Sequence, residues 1–391
     1  MGHDRIVDWF IRRFIVPQGE DIDEPGFIIK NVLVEGGARS IRDLVIAEDL
    51  LKEIEGRVVK KYRKKGKQAL YSAGKKFGYA YASMTGVPRI NACSESKFLE
   101  ALNVFLRDFE STVASWTEYE VDLKKKTLMI KMKDYTVCRE NGMGYFLSEG
   151  VIAGIWAYLM KDKSVEAVQI ECQGRGAEEC ELIAAPYTVL KRMCIHNEFM
   201  RESKLEEIHY TEVYRQINRL DKKRYKMGKM TKRMVYTQSS LKSLMDAGVV
   251  TYTSGILSYA KDRHVICDAL LPYALENELR KLKRGRELLF EASFDYAKTL
   301  GEKGRPQNLQ YITDYFASFG WGEVRVNSMK NGKENYGIDA RYFPWCKYSK
   351  ESSYALFRGL VSGMLSTKRR VILGKWKADT RSGRLVVEAG E

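Results

Sequence analysis

Three cysteines carry the clearest chemistry in this sequence. Cys172 and Cys180 bracket a Gly-rich stretch, ECQGRGAEEC, that reads as a turn between two adjacent strands. Such a turn brings two thiolates to one point, and Cys138, at the end of a preceding strand, could supply a third. Zinc takes thiolate, imidazole or carboxylate in a tetrahedral shell, so three sulfurs and one further group would make a closed structural site. The competing reading is three packed thiols, since free cysteine is among the most buried residue types. Seven cysteines in a chain without a disulfide-scaffold pattern fit a reducing, cytoplasmic setting. No catalytic constellation accompanies them. The four histidines share no triad or metal-ligand interval, and neither a Walker loop nor a strand-linked dinucleotide fingerprint is present. The expected role is therefore non-enzymatic.

The elements that would position these residues recur. Helical periodicity over 50–59, 67–83 and 96–109 gives way to alternating strands at 113–121 and 127–132. A helix over 145–160 and strands at 165–171 and 181–185 follow. The second half repeats this order. GKQALYSAGKKFGY from Gly66 matches GRELLFEASFDYAK from Gly285, setting Leu70 against Leu289, Tyr71 against Phe290 and Phe77 against Tyr296. TVASWTEYEV matches ASFGWGEVRV and pairs Trp116 with Trp321. YFLSEGVIAGI matches YALFRGLVSGM, so Gly150 and Gly154 meet Gly359 and Gly363, and Cys138 falls opposite Cys346. The leading edges align from Gly26 and Gly248. A repeat at this spacing means one supersecondary module used twice.

The expected organisation is an N-terminal helix and loop (1–25), a first module (26–187), a basic helical linker (188–247) and a second module (248–391) that has lost the cysteine cluster. Each module is α/β (α+β), an antiparallel sheet flanked by helices. The two could pack as an intramolecular pseudo-dimer, or the chain could form a homodimer. The paired glycines, four apart on one helical face, let that helix approach the sheet or another helix closely.

The order of a Trp-bearing strand, Cys138, a G-x-x-x-G helix and E-C-x-G-x-G-x-x-x-C resembles the 4-vinyl reductase (hydrocarbon-binding) domain family. That family includes sensor domains of phenol-responsive activators and many archaeal stand-alone proteins, and its fold is similar to transport-protein-particle subunits. The resemblance covers roughly 26–186 and implies a zinc ion on Cys138, Cys172 and Cys180. The family's glutamate ligand falls at Gln169. It also implies an apolar ligand cavity, for which Tyr71, Phe77, Phe105, Trp116 and Tyr145 are candidate contacts. The histidine that grips phenol in the sensors has no counterpart.

A formal net charge of +15 favours polyanionic partners, a nucleic acid, ribosome or acidic protein surface, although the same lysines could serve solubility. The basic residues cluster at 60–67, 281–286, 368–377 and within the linker. The candidate partner surface comprises Lys222, Lys223, Arg224, Lys226, Lys229, Lys232 and Arg233, with Lys368, Arg369 and Arg370. No run is long and apolar enough to suggest a membrane span. Two roles follow: a small-molecule binding or sensing protein that relays to a partner, or a basic scaffold component of a larger assembly.

Overall fold

The computed structural model describes residues 22–34, 37–136, 145–197, 200, 239–253, 255–302, 309–330, 334–346, 352–366 and 371–388. Cys138, the linker block Lys222 to Arg233, the trio Lys368, Arg369 and Arg370, and the N-terminal segment 1–21 therefore lie outside the described residues.

The first half begins with β1 (Ile22–Glu24), β2 (Phe27–Val34) and β3 (Gly37–Ala47), then α1 (Glu48–Tyr62), α2 (Lys64–Thr85) and α3 (Glu95–Val113). It continues through β4 (Trp116–Asp122), β5 (Thr127–Lys133), α4 (Phe146–Leu159), β6 (Val165–Glu171), β7 (Cys180–Pro186) and the short α5 (Tyr187–Arg192). After α6 (Leu241–Asp246), the second half runs β8 (Val250–Thr253), β9 (Ile256–Tyr259), β10 (Asp262–Asp268), α7 (Leu270–Leu279), α8 (Gly285–Glu302) and α9 (Leu309–Ser318). It closes with β11 (Glu323–Lys330), β12 (Glu334–Arg341), α10 (Ala355–Leu365), β13 (Lys375–Asp379) and β14 (Arg384–Glu388). Among the described residues no helix is long and apolar enough to cross a membrane.

Mixed α/β architecture with antiparallel sheets flanked by helices is what forms. The two C-terminal sheets have the same order, β4-β5-β7-β6 and β11-β12-β14-β13. The leading strands of both halves merge into one six-stranded sheet, β1-β2-β3-β10-β9-β8. At its centre β3 pairs antiparallel with β10, and Val45 lies opposite Ile266. The two halves are thus joined as an intramolecular pseudo-dimer about an approximate two-fold axis at that pair.

The symmetry extends to side chains that cross between halves. Arg42 on β3 donates to the Gly320 carbonyl of the second half at 3.1 Å, and Arg263 on β10 donates to the Val113 carbonyl of the first half at 3.2 Å. Each arginine holds the helix-to-strand corner of the opposite half. Gly26 and Gly255, both at positive φ, press against those same corners, where an added Cβ would overlap Gly322 or the Ala114 carbonyl. Gly255 is therefore the counterpart of Gly26. The sequence alignment on Gly248 is corrected by the register. Two ion pairs flank the axis: Arg57–Asp295 at 2.8 Å and Lys76–Glu278 at 2.8 Å. They occupy equivalent positions with the charges exchanged.

The glycine helices explain themselves by packing. Gly150 and Gly154 of α4 face α2, where a Cβ would collide with the carbonyls of Tyr71 and Lys75. Gly74 and Gly78 of α2 return the contact against Leu147 and Val151. Gly359 and Gly363 of α10 meet α8 at Phe290 and Phe294 in the same way. Glycine here sacrifices helix propensity of about 1 kcal/mol and lets the two backbones touch.

Candidate functional site

Between the first half's helices and β10 lies an apolar cavity of about 100 Å³. Its walls are Leu51 of α1, Phe77 and Tyr81 of α2, Thr112 and Val113 at the end of α3, Tyr135, Tyr145, and Leu147, Ser148, Val151 and Ile155 of α4. The second half closes it with Val265, Ile266, Cys267, Asp268 and Leu271. Lys30 and Asp43 of the first half also reach the lining, and the residues of β10 and α7 make the site shared between halves. Burial, reinforced by Asp43 and Asp268, pushes the Cys267 thiol well up, so it stays protonated. Burial likewise holds Tyr145 well above the ordinary phenol range, with Glu55 adding to it. Neither group is a nucleophile in waiting.

The second half shows why this space exists. There Trp321, Phe316, Phe343, Trp345 and Phe357 pack as one aromatic cluster, with Trp321 5.5 Å from Trp345 and 6.0 Å from Phe357 between ring centroids. Helix alignment on the glycine pairs places Phe357 at the position of Ser148. Ladder register places Glu323 opposite Arg341 and Trp116 opposite Lys133, so Trp116 corresponds to Glu323 and Trp321 to Ala114. Two aromatic plugs in the second half are thus Ala114 and Ser148 in the first, and Ser148 lines the cavity.

The plug also marks a polar anchor. The Trp321 indole Nε1 donates to the Val45 carbonyl at 3.3 Å, and the Val45 N–H donates to the Phe319 carbonyl at 3.0 Å. Both Val45 groups therefore point away from β10. In an antiparallel ladder directly opposed residues orient alike, so Ile266 turns its backbone toward the first half, where it lines the cavity.

The candidate contacts divide. Phe77 and Tyr145 line the cavity. Tyr71 does not: its hydroxyl donates to Glu166 Oε2 at 2.6 Å and accepts from the Ala167 N–H at 3.0 Å. Phe105 stands behind the wall, 6.1 Å from the Tyr81 ring. Trp116 is also outside, at the edge of its sheet and 36% exposed, with the Lys133 ammonium 5.7 Å from its ring. The shared residue type misled the alignment; the corner of the second half, with Gly320 and Gly322 at positive φ, is spaced differently.

Beside Tyr71, Lys75 and Glu166 form a buried ion pair at 2.6 Å. Burial outweighs Lys75 and Tyr71 and pushes the Glu166 carboxyl up to about 7. Burial also lowers the Lys75 ammonium, against the pull of Glu166.

Cys172 and Cys180 are buried and not disulfide-bonded. Cys172 follows the last residue of β6 and Cys180 opens β7, next to the Glu171–Glu181 pair that ends the ladder. Gln169 pairs with Leu182 and faces the same side, but a register shift before Glu171 separates it from Cys172. The Gln169 side-chain oxygen also accepts the Tyr145 N–H at 3.4 Å. Among the described residues no three His, Cys, Asp or Glu side chains converge as a metal set. The thiol pair suits zinc chemically, yet a full shell needs donors beyond it.

Sequence reasoning missed three buried carboxylates around the glycine helices. Glu149 on α4 accepts the Gln169 N–H at 3.0 Å, its second oxygen has no partner among the described residues, and burial pushes it up to about 7. Its signal was visible: a lone charge in the apolar run FLSEGVIAGIW. Glu55 accepts the Phe146 N–H at 3.3 Å, and Glu276 at the equivalent place accepts the Ser353 N–H at 2.6 Å. Each pins the start of its glycine helix. Cys346, opposite Cys138 in the sequence alignment, is a packed thiol pushed by burial up to about 11.

No family model matches the chain, and no curated protein matches it. Among solved structures it is similar to the phenol-responsive sensory domain of the transcription activator PoxR, determined with phenol. That match is 16% identical, covers 40% of this chain and 84% of that domain, and has a TM-score of 0.31.

Proposed function

We propose that the protein is a non-enzymatic binding or sensing protein for a small apolar ligand held in the first half's cavity. The observation that carries this reading is internal to the chain. One half fills its interior with Trp321 and Phe357, while the other has the small Ala114 and Ser148 at those places and an open space lined by Ser148. The volume of about 100 Å³ is below the roughly 300–1,000 Å³ of drug-sized pockets and near the ~150 Å³ cavity known to admit benzene. A single ring or a short hydrocarbon segment is the matching ligand. Because β10 forms one wall and pairs with β3, an occupant touches both halves at once, which gives a route to a partner bound elsewhere on the chain.

Calorimetric titration with phenol, benzene and indole tests this directly. Saturable binding of at least one probe to the wild type, lost in Ser148→Phe and weakened in the milder Ser148→Leu, is the expected result. Absence of binding by all three, or equal binding by both variants, sinks the reading.

A structural zinc ion on Cys172, Cys180 and Cys138, with Gln169 or another nearby donor, is part of the same proposal. It would staple the β6–β7 turn and supply no chemistry. Metal analysis of reduced protein should give one zinc per chain, lost on Cys172→Ser; reduced protein without zinc overturns it.

A further inference from the structure

Two basic clusters that lie far apart in the sequence are neighbours in the fold. The corner joining α1 to α2 carries Lys60, Lys61, Arg63, Lys64 and Lys65, all exposed, with no acidic residue among them. The corner joining α7 to α8 carries Lys283 and Arg284, also exposed. The Tyr62 hydroxyl donates to the Lys283 carbonyl at 2.8 Å, which fixes one corner against the other. Arg63 and Arg284 hold equivalent positive-φ positions at the turn of each corner. The clusters are therefore the two symmetry-related parts of one surface across the pseudo-two-fold axis.

Most of its charges meet no acidic partner among the described residues. Lys60, Arg63, Lys65, Lys283 and Arg284 have no ion-pair partner among the described residues, whereas Lys281 and Arg57 nearby are paired. Concentrating like charges costs folding energy through self-repulsion, so a partner anion is the natural counterweight.

We propose that this composite surface binds the phosphate backbone of a nucleic-acid duplex. Three features select that partner. The patch is two-fold, as a duplex backbone is locally two-fold, and symmetric proteins match that dyad. It presents no exposed aromatic platform: Tyr62 is half-buried beneath Lys61, its hydroxyl occupied, so stacking on unpaired bases is not offered. None of the large exposed apolar side chains falls within 57–68 or 280–290, so nothing there would insert into a membrane surface. Binding through phosphates alone is sequence-independent and depends steeply on salt.

The test is fluorescence anisotropy of the full chain with a labelled duplex of about 20 base pairs, as DNA and as RNA, over a salt series. Vesicles containing phosphatidylserine and an acidic homopolymer, poly-glutamate, serve as competitors. Charge reversal is made in one corner (Lys60→Glu with Lys65→Glu), in the other (Lys283→Glu), and in both. Neutral Gln variants at the same positions guard against misfolding. Each corner's reversal should weaken duplex binding at least tenfold and flatten the salt slope, by about 0.9 for each phosphate of B-DNA that is no longer neutralised. The double reversal should abolish binding. Binding unaffected by either corner, dependence on one corner alone, or preference for vesicles or poly-glutamate over duplex would each overturn the proposal.

Discussion

The two halves share a backbone plan and differ in what they bury. In the first, Tyr71, Lys75 and Glu166 form a closed polar network, and a cavity lies on the other side of the same helix pair. In the second, the corresponding residues are Phe290, Phe294 and, by ladder register, Leu373, and aromatic rings occupy the cavity position. At these positions the second half packs apolar groups, although it buries Glu276 and Arg358 elsewhere, and the first keeps a polar network and an open space. Interiors normally tolerate few voids. The proposed occupant accounts for a void whose counterpart in the second half is filled by Trp321 and Phe357 among the described residues.

The contrast can be broken from either side. Trp321→Ala should be the most costly change, about 3–5 kcal/mol, because it empties a packed interior. Denaturant unfolding measures the loss, and benzene should restore part of it. Next comes Glu166→Leu, which strands Lys75 and should cost about 3–5 kcal/mol at neutral pH. Importing all three second-half residues (Tyr71→Phe, Lys75→Phe and Glu166→Leu) should recover that loss, since apolar replacement of a buried pair is often neutral or stabilising. If the triple variant is as unstable as the single one, the halves are not interchangeable at this site.

The same network has a pH signature. Its raised carboxyl holds a proton in the folded chain that the unfolded chain releases near the ordinary glutamate value of 4.5. Stability contributed by Glu166 should therefore fall as pH rises from about 4.5 to about 7. The triple variant should lose the Glu166 share of that slope and keep the share of Glu149, whose carboxyl burial likewise pushes up to about 7. Gly154→Ala, which drives a Cβ into the Lys75 carbonyl, should cost about 1–3 kcal/mol. A neutral result there would mean that the α2–α4 packing is looser than its geometry. Smallest of all, Tyr62→Phe should cost about 0.5–1.5 kcal/mol by removing one hydrogen bond between halves.

Much of this was legible before the fold. Alternating and helical periodicities located most elements to within a few residues, and the paired glycines foretold that α4 and α10 closely approach a neighbour, but not that the neighbours are α2 and α8. Local pattern could not show β3, whose partner β10 lies more than two hundred residues away in the chain. Nor could it set register. The Trp116 and Trp321 match was a coincidence of type, because a helix-to-strand corner with two positive-φ glycines shifts the following strand by two positions. Tyr145 and Phe77 were named as contacts of the cavity that the family resemblance implies, and both line the observed space, whereas Tyr71, Phe105 and Trp116 do not. Ser148 and Ile266 were missed because a cavity is defined by what is small, and by backbone from the opposite half.

The exchanged ion pairs carry a consequence for assembly. If two first halves from different chains docked in the observed manner, Arg57 would meet Lys76; two second halves would bring Glu278 to Asp295. Both pairings are repulsive, and only a first half against a second half satisfies all four charges. Juxtaposing like charges is a device for rejecting wrong partners. The chain thus discriminates between its own halves as a heterodimer does between subunits, and a tethered partner is always within reach. With the charges exchanged, the interface accepts a first half against a second half and rejects two halves of one kind.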